Sequence, residues 1–202
     1  MPPKAGLDRA AVVQAAAALA DTAGIEQFTL ADLAARLGVR TPSLYNHVAG
    51  LPGLRRDLAL LGTRALGARI GRAAIGKSGD AAIQAIAQAY RAFVTEHPGL
   101  YGASVRSALL ADQPDPELSA AQTEVTDIVL AVLAGFGLTG ADAIHAARGL
   151  RSLIHGFATL EASDGFGIPL DIDSSFQRLI GDYIAGLRAR IEADSKVLGI
   201  GE

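Results

Sequence analysis

The stretch TLADLAARLGVRTPSLYNHVAGLPGLRR, residues 29–56, decides the fold. Thr29 can N-cap a helix, with Asp32 three residues on, whose apolar positions Leu30, Leu33, Ala34 and Leu37 fall at helical spacing. Gly38 ends that helix, because glycine accepts the left-handed backbone of a C-terminal cap. Thr41 can then cap a second helix, Pro42 to His47, with Pro42 at the first helical position, where a missing N–H costs nothing. Ser43, Asn46 and His47 make one side of it polar, with Tyr45 between them. Two short helices joined by a tight glycine turn make a helix-turn-helix, whose second helix enters the DNA major groove.

The flanks read as helix too. Upstream, Asp8 to Ala23 carries Val12, Val13, Ala16, Leu19 and Ala20 on an inner face and stops at Gly24. Downstream, a long helix begins near Pro52 with Leu54, Leu58, Leu61, Ala65, Leu66 and Ile70, and runs towards a linker at Gly76–Gly79. Further helices are expected at Asp80–His97, Leu100–Ala111 (ended by DQPDP, 112–116), Pro116–Phe136, Ala141–Ala162 and Ser174–Lys196. The helix from Pro116 carries a wide apolar stripe of Leu118, Ala121, Val125, Ile128, Val129, Val132, Leu133 and Phe136. No stretch alternates with a two-residue period for long enough to build a sheet. The expectation is an all-α chain of about nine helices. A three-helix helix-turn-helix head covers residues 1–51, a connecting helix and linker 52–78, and a helical bundle for ligand binding and dimerisation 79–202.

The chain has 202 residues, of which half are apolar and 19% charged, so it can bury a core and is not a disordered composition. No apolar run approaches the ~18 residues of a membrane span. The Ala-rich start is interrupted by Asp8, Arg9, Gln14 and Asp21, the pattern of an amphipathic helix and not of a signal peptide, so a cytoplasmic location is expected. With no cysteine there are no disulfides, thiolate metal sites or cysteine nucleophiles. The net charge of −3 divides unevenly: residues 1–56 hold six Lys/Arg, Lys4 among them, against four acids, and the remainder 12 against 17. A mildly basic head on an acidic body suits contact with phosphate at one end.

The string GVRTPSLYNHV, after an Ala-rich first helix and TLADLAARL, resembles the TetR family of bacterial transcription repressors, with Leu44, Tyr45, His47 and Val48 matching the family's recognition helix. EHPGLY (96–101) and LRSLIHGFATLEASDGFG (150–167) are similar to a recurrent TetR C-terminal ligand-binding domain. The resemblance implies a dimeric repressor that binds a palindromic double-stranded DNA operator and is released by a small-molecule inducer, with no cofactor. It also implies a phosphate-holding Lys at the start of the fourth helix. Leu51 stands there instead, and Arg55 and Arg56, one turn on, are the candidates to supply the charge.

The DNA-contact candidates are Thr29, Arg40, Thr41, Pro42, Ser43, Tyr45, Asn46, His47, Arg55 and Arg56. The hydroxyls of Thr41 and Tyr45 suit phosphate oxygens, and the resemblance adds His47 there; Arg40, Pro42, Ser43 and Asn46 are placed to reach base edges. Alternatively Thr41 and Ser43 are only caps, and Tyr45 packs on the first helix. For the inducer, Tyr90, Phe93 and His97 fall at three- and four-residue steps, joined by Tyr101 and Arg106 and by Arg148, Ser152 and His155. Arg106, Arg148 and Arg151 would favour a carboxylate, phosphate or phenolate; otherwise they sit in water or pair with Asp142 or Glu161. The dimer candidates are Gly149, Leu150, Leu153 and Phe157 with Phe176, Ile180, Tyr183 and Leu187, although such faces also serve as intrachain core.

GFGLTG (135–140) satisfies the GxGxxG pattern of a nucleotide loop, which would make the chain an enzyme on a helical scaffold. The apolar run before it is too long for a strand and no second βαβ unit follows, so glycine caps and an N-cap at Thr139 are expected instead. A helical interaction module without DNA is the other alternative. The histidines make no metal site, because Arg148 and Arg151 beside His145 and His155 would repel a cation, and no catalytic set is expected.

Overall fold

The computed structural model describes residues 7–110 and 115–197. Among these it contains nine helices and no strand: α1 (Arg9–Ala23), α2 (Leu30–Leu37), α3 (Thr41–Leu44), α4 (Gly50–Ala74), α5 (Gly79–Glu96), α6 (Pro98–Leu110), α7 (Pro116–Ala134), α8 (Gly140–Ala162) and α9 (Ile172–Val197). The fold is all-α, as the periodicities require. Lys4 and most of the stop expected after α6, Ala111 to Pro114, lie outside the described residues.

Local chemistry sets the first helix ends. The Asp8 carboxylate accepts from Ala11 N–H at 2.7 Å and starts α1, which Gly24 ends at φ 87°. Thr29 and Asp32 form a reciprocal capping box on α2, and Gly38 closes it at φ 66°, a left-handed conformation that only glycine adopts without cost. The second element is shorter than its pattern suggests. α3 holds only Thr41–Leu44, and Asn46, His47 and Val48 continue as turns through bonds to Ser43 and Leu44 carbonyls. Its N-cap is Arg40, without a side-chain bond, so Thr41 opens the helix and does not cap it.

The chain forms two compact units, one of Met1–Ala65 with Glu96–Ala121, the other of Leu66–Thr95 with Gln122–Glu202. The boundaries between these units fall inside α4 and α7 and near the end of α5. The first unit is larger than a three-helix head because α6 packs onto α1 at backbone distance. The Asp21 carboxylate accepts from the N–H of Gly99 and Leu100 at 2.9 and 3.1 Å and stands 2.9 Å from His97 Nδ1. Val12, Ala16, Leu33, Leu44, Leu54 and Leu58 form its core at complete burial. Each buried leucine contributes about 1.5–3 kcal/mol relative to an exposed one. Ala17 takes the buried place expected of Leu19, which stays partly exposed.

In the second unit Ile70, Ile83, Ile86, Phe93, Leu133, Leu150, Ile154 and Phe176 are among the largest fully buried side chains. Val125, Ile128, Val129, Val132 and Phe136 of the α7 stripe keep partial exposure. Tyr183 Oη donates to Ala146 O at 2.6 Å and ties α9 to α8; burial pushes its phenol up to about 12. Arg91 on α5 binds Glu161 at 2.7 Å and Asp173 at 2.8 Å and lies 4.9 Å from the Phe176 ring, joining both ends of the α8–α9 loop. The arginine that sits inside this unit is thus Arg91, which the sequence reading did not single out.

Candidate nucleic-acid interface

Leu44 carries no exposed surface, which pins α3 to the core and turns its other residues outward. Arg40, Pro42, Tyr45 and Asn46 are exposed, while Thr41, Ser43 and His47 are half-buried. Tyr45 is 61% exposed, so its ring is not packed on the first helix. All seven residues of 40–47 other than Leu44 thus keep at least part of their surface exposed, phenol, amide, hydroxyl and guanidinium groups among them. Arg40 makes no ion pair among the described residues, so its fork is available to a phosphate or a guanine edge.

Three expected contacts are occupied by partners within the chain. The Thr29 hydroxyl donates to Asp32 Oδ2 at 2.7 Å and accepts from Asp32 N–H, and its own N–H also donates to that carboxylate; these bonds hold the Asp32 pKa down. A phosphate would have to displace the cap to reach Thr29. Arg55 is bound to Glu26 at 3.0 Å. Arg56 donates to both Asp115 oxygens at 2.6 and 2.9 Å and to Glu117 at 2.7 Å, with Asp57 at 3.5 Å. That arrangement lowers Asp115 to about 2 and raises Arg56. Arg55 and Arg56 thus do not stand as free replacements for the lysine missing at Leu51. The sequence could not reveal this, since Asp115 and Glu117 are about 60 residues away along the chain.

An open depression of about 470 Å³ lies beside α3, lined by Arg9, Tyr45, His47, Val48, Ala49, Gly53, Arg56 and Asp57. Arg9 had no signal in the sequence beyond being a basic residue at the start of a helix.

The inducer candidates divide between the two units. His97, Tyr101 and Arg106 belong to the first unit. There His97 faces Asp21, Tyr101 is buried, and exposed Arg106 pairs with Glu26 at 2.7 Å. In the second unit Phe93 is core, Arg148 and Ser152 are exposed on α8, and His155 is half-buried. Tyr90 lines a small apolar cavity of about 30 Å³ with Ile70, Ile86, Val129, Ala147, Leu150, Arg151 and Ile154. Of the three arginines proposed for a cationic end, only Arg151 borders this cavity. Asp142 and Glu161, the alternative partners, are bound by Arg190 and Arg91.

The dimer candidates divide as well. Leu150, Phe176 and Ile180 are almost wholly buried within the chain and are its own core, which corrects their assignment to an interface. Gly149, Leu153, Phe157, Tyr183 and Leu187 remain half-exposed. GFGLTG joins two helices: turns at 135–137 close α7, and Thr139 precedes α8. No strand lies among the described residues, so the setting of a nucleotide loop is missing there. The described residues hold no cluster of metal-ligating side chains, and no helix among them is long and apolar enough to cross a membrane.

Residues 83–183 match the family described as Tetracyclin repressor-like, C-terminal domain. The chain is 36% identical over 188 residues to the uncharacterised HTH-type transcriptional regulator YobS of Bacillus subtilis (strain 168), covering 93% of this chain and 96% of that protein. The chain belongs to the TetR family of HTH-type transcriptional regulators. A second relative, the uncharacterised HTH-type transcriptional regulator Rv0681 of Mycobacterium tuberculosis, is 36% identical over 186 residues, 92% of this chain and 84% of that one. Among solved structures, a protein of unknown function from Rhodococcus sp. RHA1 superposes with a TM-score of 0.78 at 23% identity, covering 93% of this chain and 99% of that one. A TetR variant from Acinetobacter baumannii AYE, solved with minocycline, gives 0.66 at 22% identity over 91% of this chain and 97% of that one. At these identities the structures establish the TetR fold alone.

Proposed function

We propose that this TetR-family chain is a repressor that binds a two-fold symmetric operator as a homodimer and releases it when a small molecule binds. The observation that carries the DNA reading is the exposed edge of Arg40, Pro42, Tyr45 and Asn46 standing on a fully buried Leu44. A rigid anchor under an exposed row of donors is what groove reading requires, since base discrimination is lost when the donors can wander. Phosphate contacts from Tyr45, Thr41 and His47 fix register, and Asn46 and Arg40 read bases. Two-fold symmetry in the protein is then copied in the half-sites. The half-exposed Leu153, Phe157, Tyr183 and Leu187 on α8 and α9 are the surfaces for the second copy.

The inducer enters the second unit at the cavity around Tyr90 and Arg151. That cavity has room for about one water, against roughly 300 Å³ or more for a small-molecule site, so binding must separate its lining side chains. A ligand that binds only the expanded state shifts the protein towards it by its difference in affinity for the two states. The lining is apolar apart from the Tyr90 hydroxyl and the Arg151 guanidinium, which fits an apolar body carrying one anionic group.

The experiment is to select duplexes from a random-sequence pool with the purified protein and measure binding by fluorescence anisotropy from low to physiological salt. The expected result is a near-palindromic consensus, one dimer per duplex, and a steep loss of affinity with salt. No enrichment, together with salt-independent or absent binding, would overturn the DNA reading.

A further inference from the structure

We infer that Arg9, at the start of α1, donates to a DNA phosphate beside the half-site read by α3, and that buried Asp57 is the positioning residue that aims it. This rests on the DNA-binding reading above and names a contact outside the helix-turn-helix sequence. Arg9 and Asp57 are 48 residues apart in sequence and both line the open depression next to Tyr45 and His47.

The geometry distinguishes Arg9 from the other cations there. Arg9 gives one edge of its fork to Asp57, through Nε at 3.0 Å and Nη2 at 2.6 Å. A guanidinium has five N–H donors, so the edge formed by Nη1 and the second Nη2 hydrogen remains for a second bidentate oxyanion. The Arg9 side chain is 63% exposed, while that of Asp57 is only 8% exposed, so the carboxylate holds the guanidinium from below and its outer edge faces solvent. Arg56 in the same depression has the opposite character. All three of its nitrogens lie near Asp115, Glu117 or Asp57.

Arg9 is therefore a pre-aimed donor in which little side-chain freedom remains to be lost on binding. The ion pairs around it balance in sign: Arg9, Arg56 and Arg64 stand against Asp57, Asp115 and Glu117. The patch thus exerts little long-range pull, and its effect on DNA is a short-range, directed contact.

The test uses the full chain and a duplex selected by the wild-type protein, with single phosphates replaced in turn by neutral methylphosphonates. One replacement flanking the half-site should weaken wild-type binding about tenfold, the loss expected of one charge-assisted bond. The same replacement should leave Arg9→Ala, already about tenfold weaker, unchanged, while every other replacement stays additive. Arg9→Lys, which keeps the charge and loses the fork, should recover part of the affinity. Asp57→Asn gives a test of sign: removing an acid beside DNA ordinarily strengthens binding, whereas loss of the positioning residue weakens it. Melting temperatures would be taken for each variant, and Arg9→Lys stands in if the alanine variant does not fold. Wild-type affinity in Arg9→Ala, or a loss additive with every methylphosphonate, would overturn the inference while leaving the operator reading intact. Absence of DNA binding by the wild type would instead remove the reading on which it rests.

Discussion

Gly99 and Gly102 lie three residues apart on α6, and alanine at these two positions should act in opposite directions. A methyl group on Gly99 would run into the carbonyl of Ala20 and come within 2.5 Å of Asp21 N. Ordinary contact needs about 3.5 Å, and the atoms it meets are backbone, so the two helices must separate by about 1 Å. Overpacking of this kind costs about 1–3 kcal/mol. The separation also stretches the bonds that Gly99 and Leu100 donate to Asp21, now 2.9 and 3.1 Å, each worth about 1.5–3 kcal/mol to a charged acceptor. Losing one of them brings the expected destabilisation to about 2.5–6 kcal/mol, which is roughly 5–24 °C in Tm for a chain of this size. A methyl at Gly102 meets Ile25 Cγ2 at 3.7 Å, an ordinary contact, and alanine gains up to about 1 kcal/mol of helix propensity. Urea denaturation followed by circular dichroism, with thermal melts alongside, measures both. A Gly99→Ala loss below about 1 kcal/mol, or equal losses at the two positions, would refute the backbone-contact argument.

The other predictions concern the interface, the dimer and acid stability. Tyr45→Phe should weaken operator binding by about 1 kcal/mol without changing sequence preference, whereas Asn46→Ala should relax preference at one base pair by about 1–3 kcal/mol; anisotropy on operator and random duplexes separates the two. Ile180→Glu should unfold the second unit because Ile180 is core, while Leu153→Glu should give folded monomers by analytical ultracentrifugation. Folded Ile180→Glu would contradict its burial, and dimeric Leu153→Glu would remove that residue from the interface. Arg56 holds Asp115 at about 2, below its ordinary 3.8, so this pair stabilises the fold above pH ~4 and the contribution is lost as pH falls towards 2. Arg56→Ala should therefore flatten the pH dependence of stability across that window, and an unchanged acid limb would mean the pair does not contribute.

The chain order of helices and their caps was legible in the sequence because both are local. Thr29 with Asp32, and Gly38, act on residues within four positions, and the structure shows each of those caps, whereas Thr41, also expected to cap a helix, opens α3 instead. The recognition element was legible as a place, and less so as a helix: its capping pattern allows a helix to His47, while the structure ends it at Leu44 and folds the next residues as turns. Helical periodicity marks which side of a helix is apolar, and it carries no information about whether that side meets its own chain or another. That is why Leu150, Phe176 and Ile180 could be read as interface until their burial was seen.

Charge pairing is the other quantity that only tertiary structure decided. Arg55, Arg56, Arg91 and Arg106 look equivalent in sequence, yet each is bound to a carboxylate far along the chain, while Arg9, among the described residues, keeps one edge of its fork unpaired in the depression beside α3. Coulomb and hydrogen-bond energies depend on distances of 2.6–3.0 Å, and those distances arise only after the helices have packed. The sequence by itself determined an all-α chain with a helix-turn-helix pattern within 29–47, through local hydrogen bonds and periodicity. The tertiary structure decided which charges are paired and which apolar residues are core, because both are properties of neighbours brought together by packing.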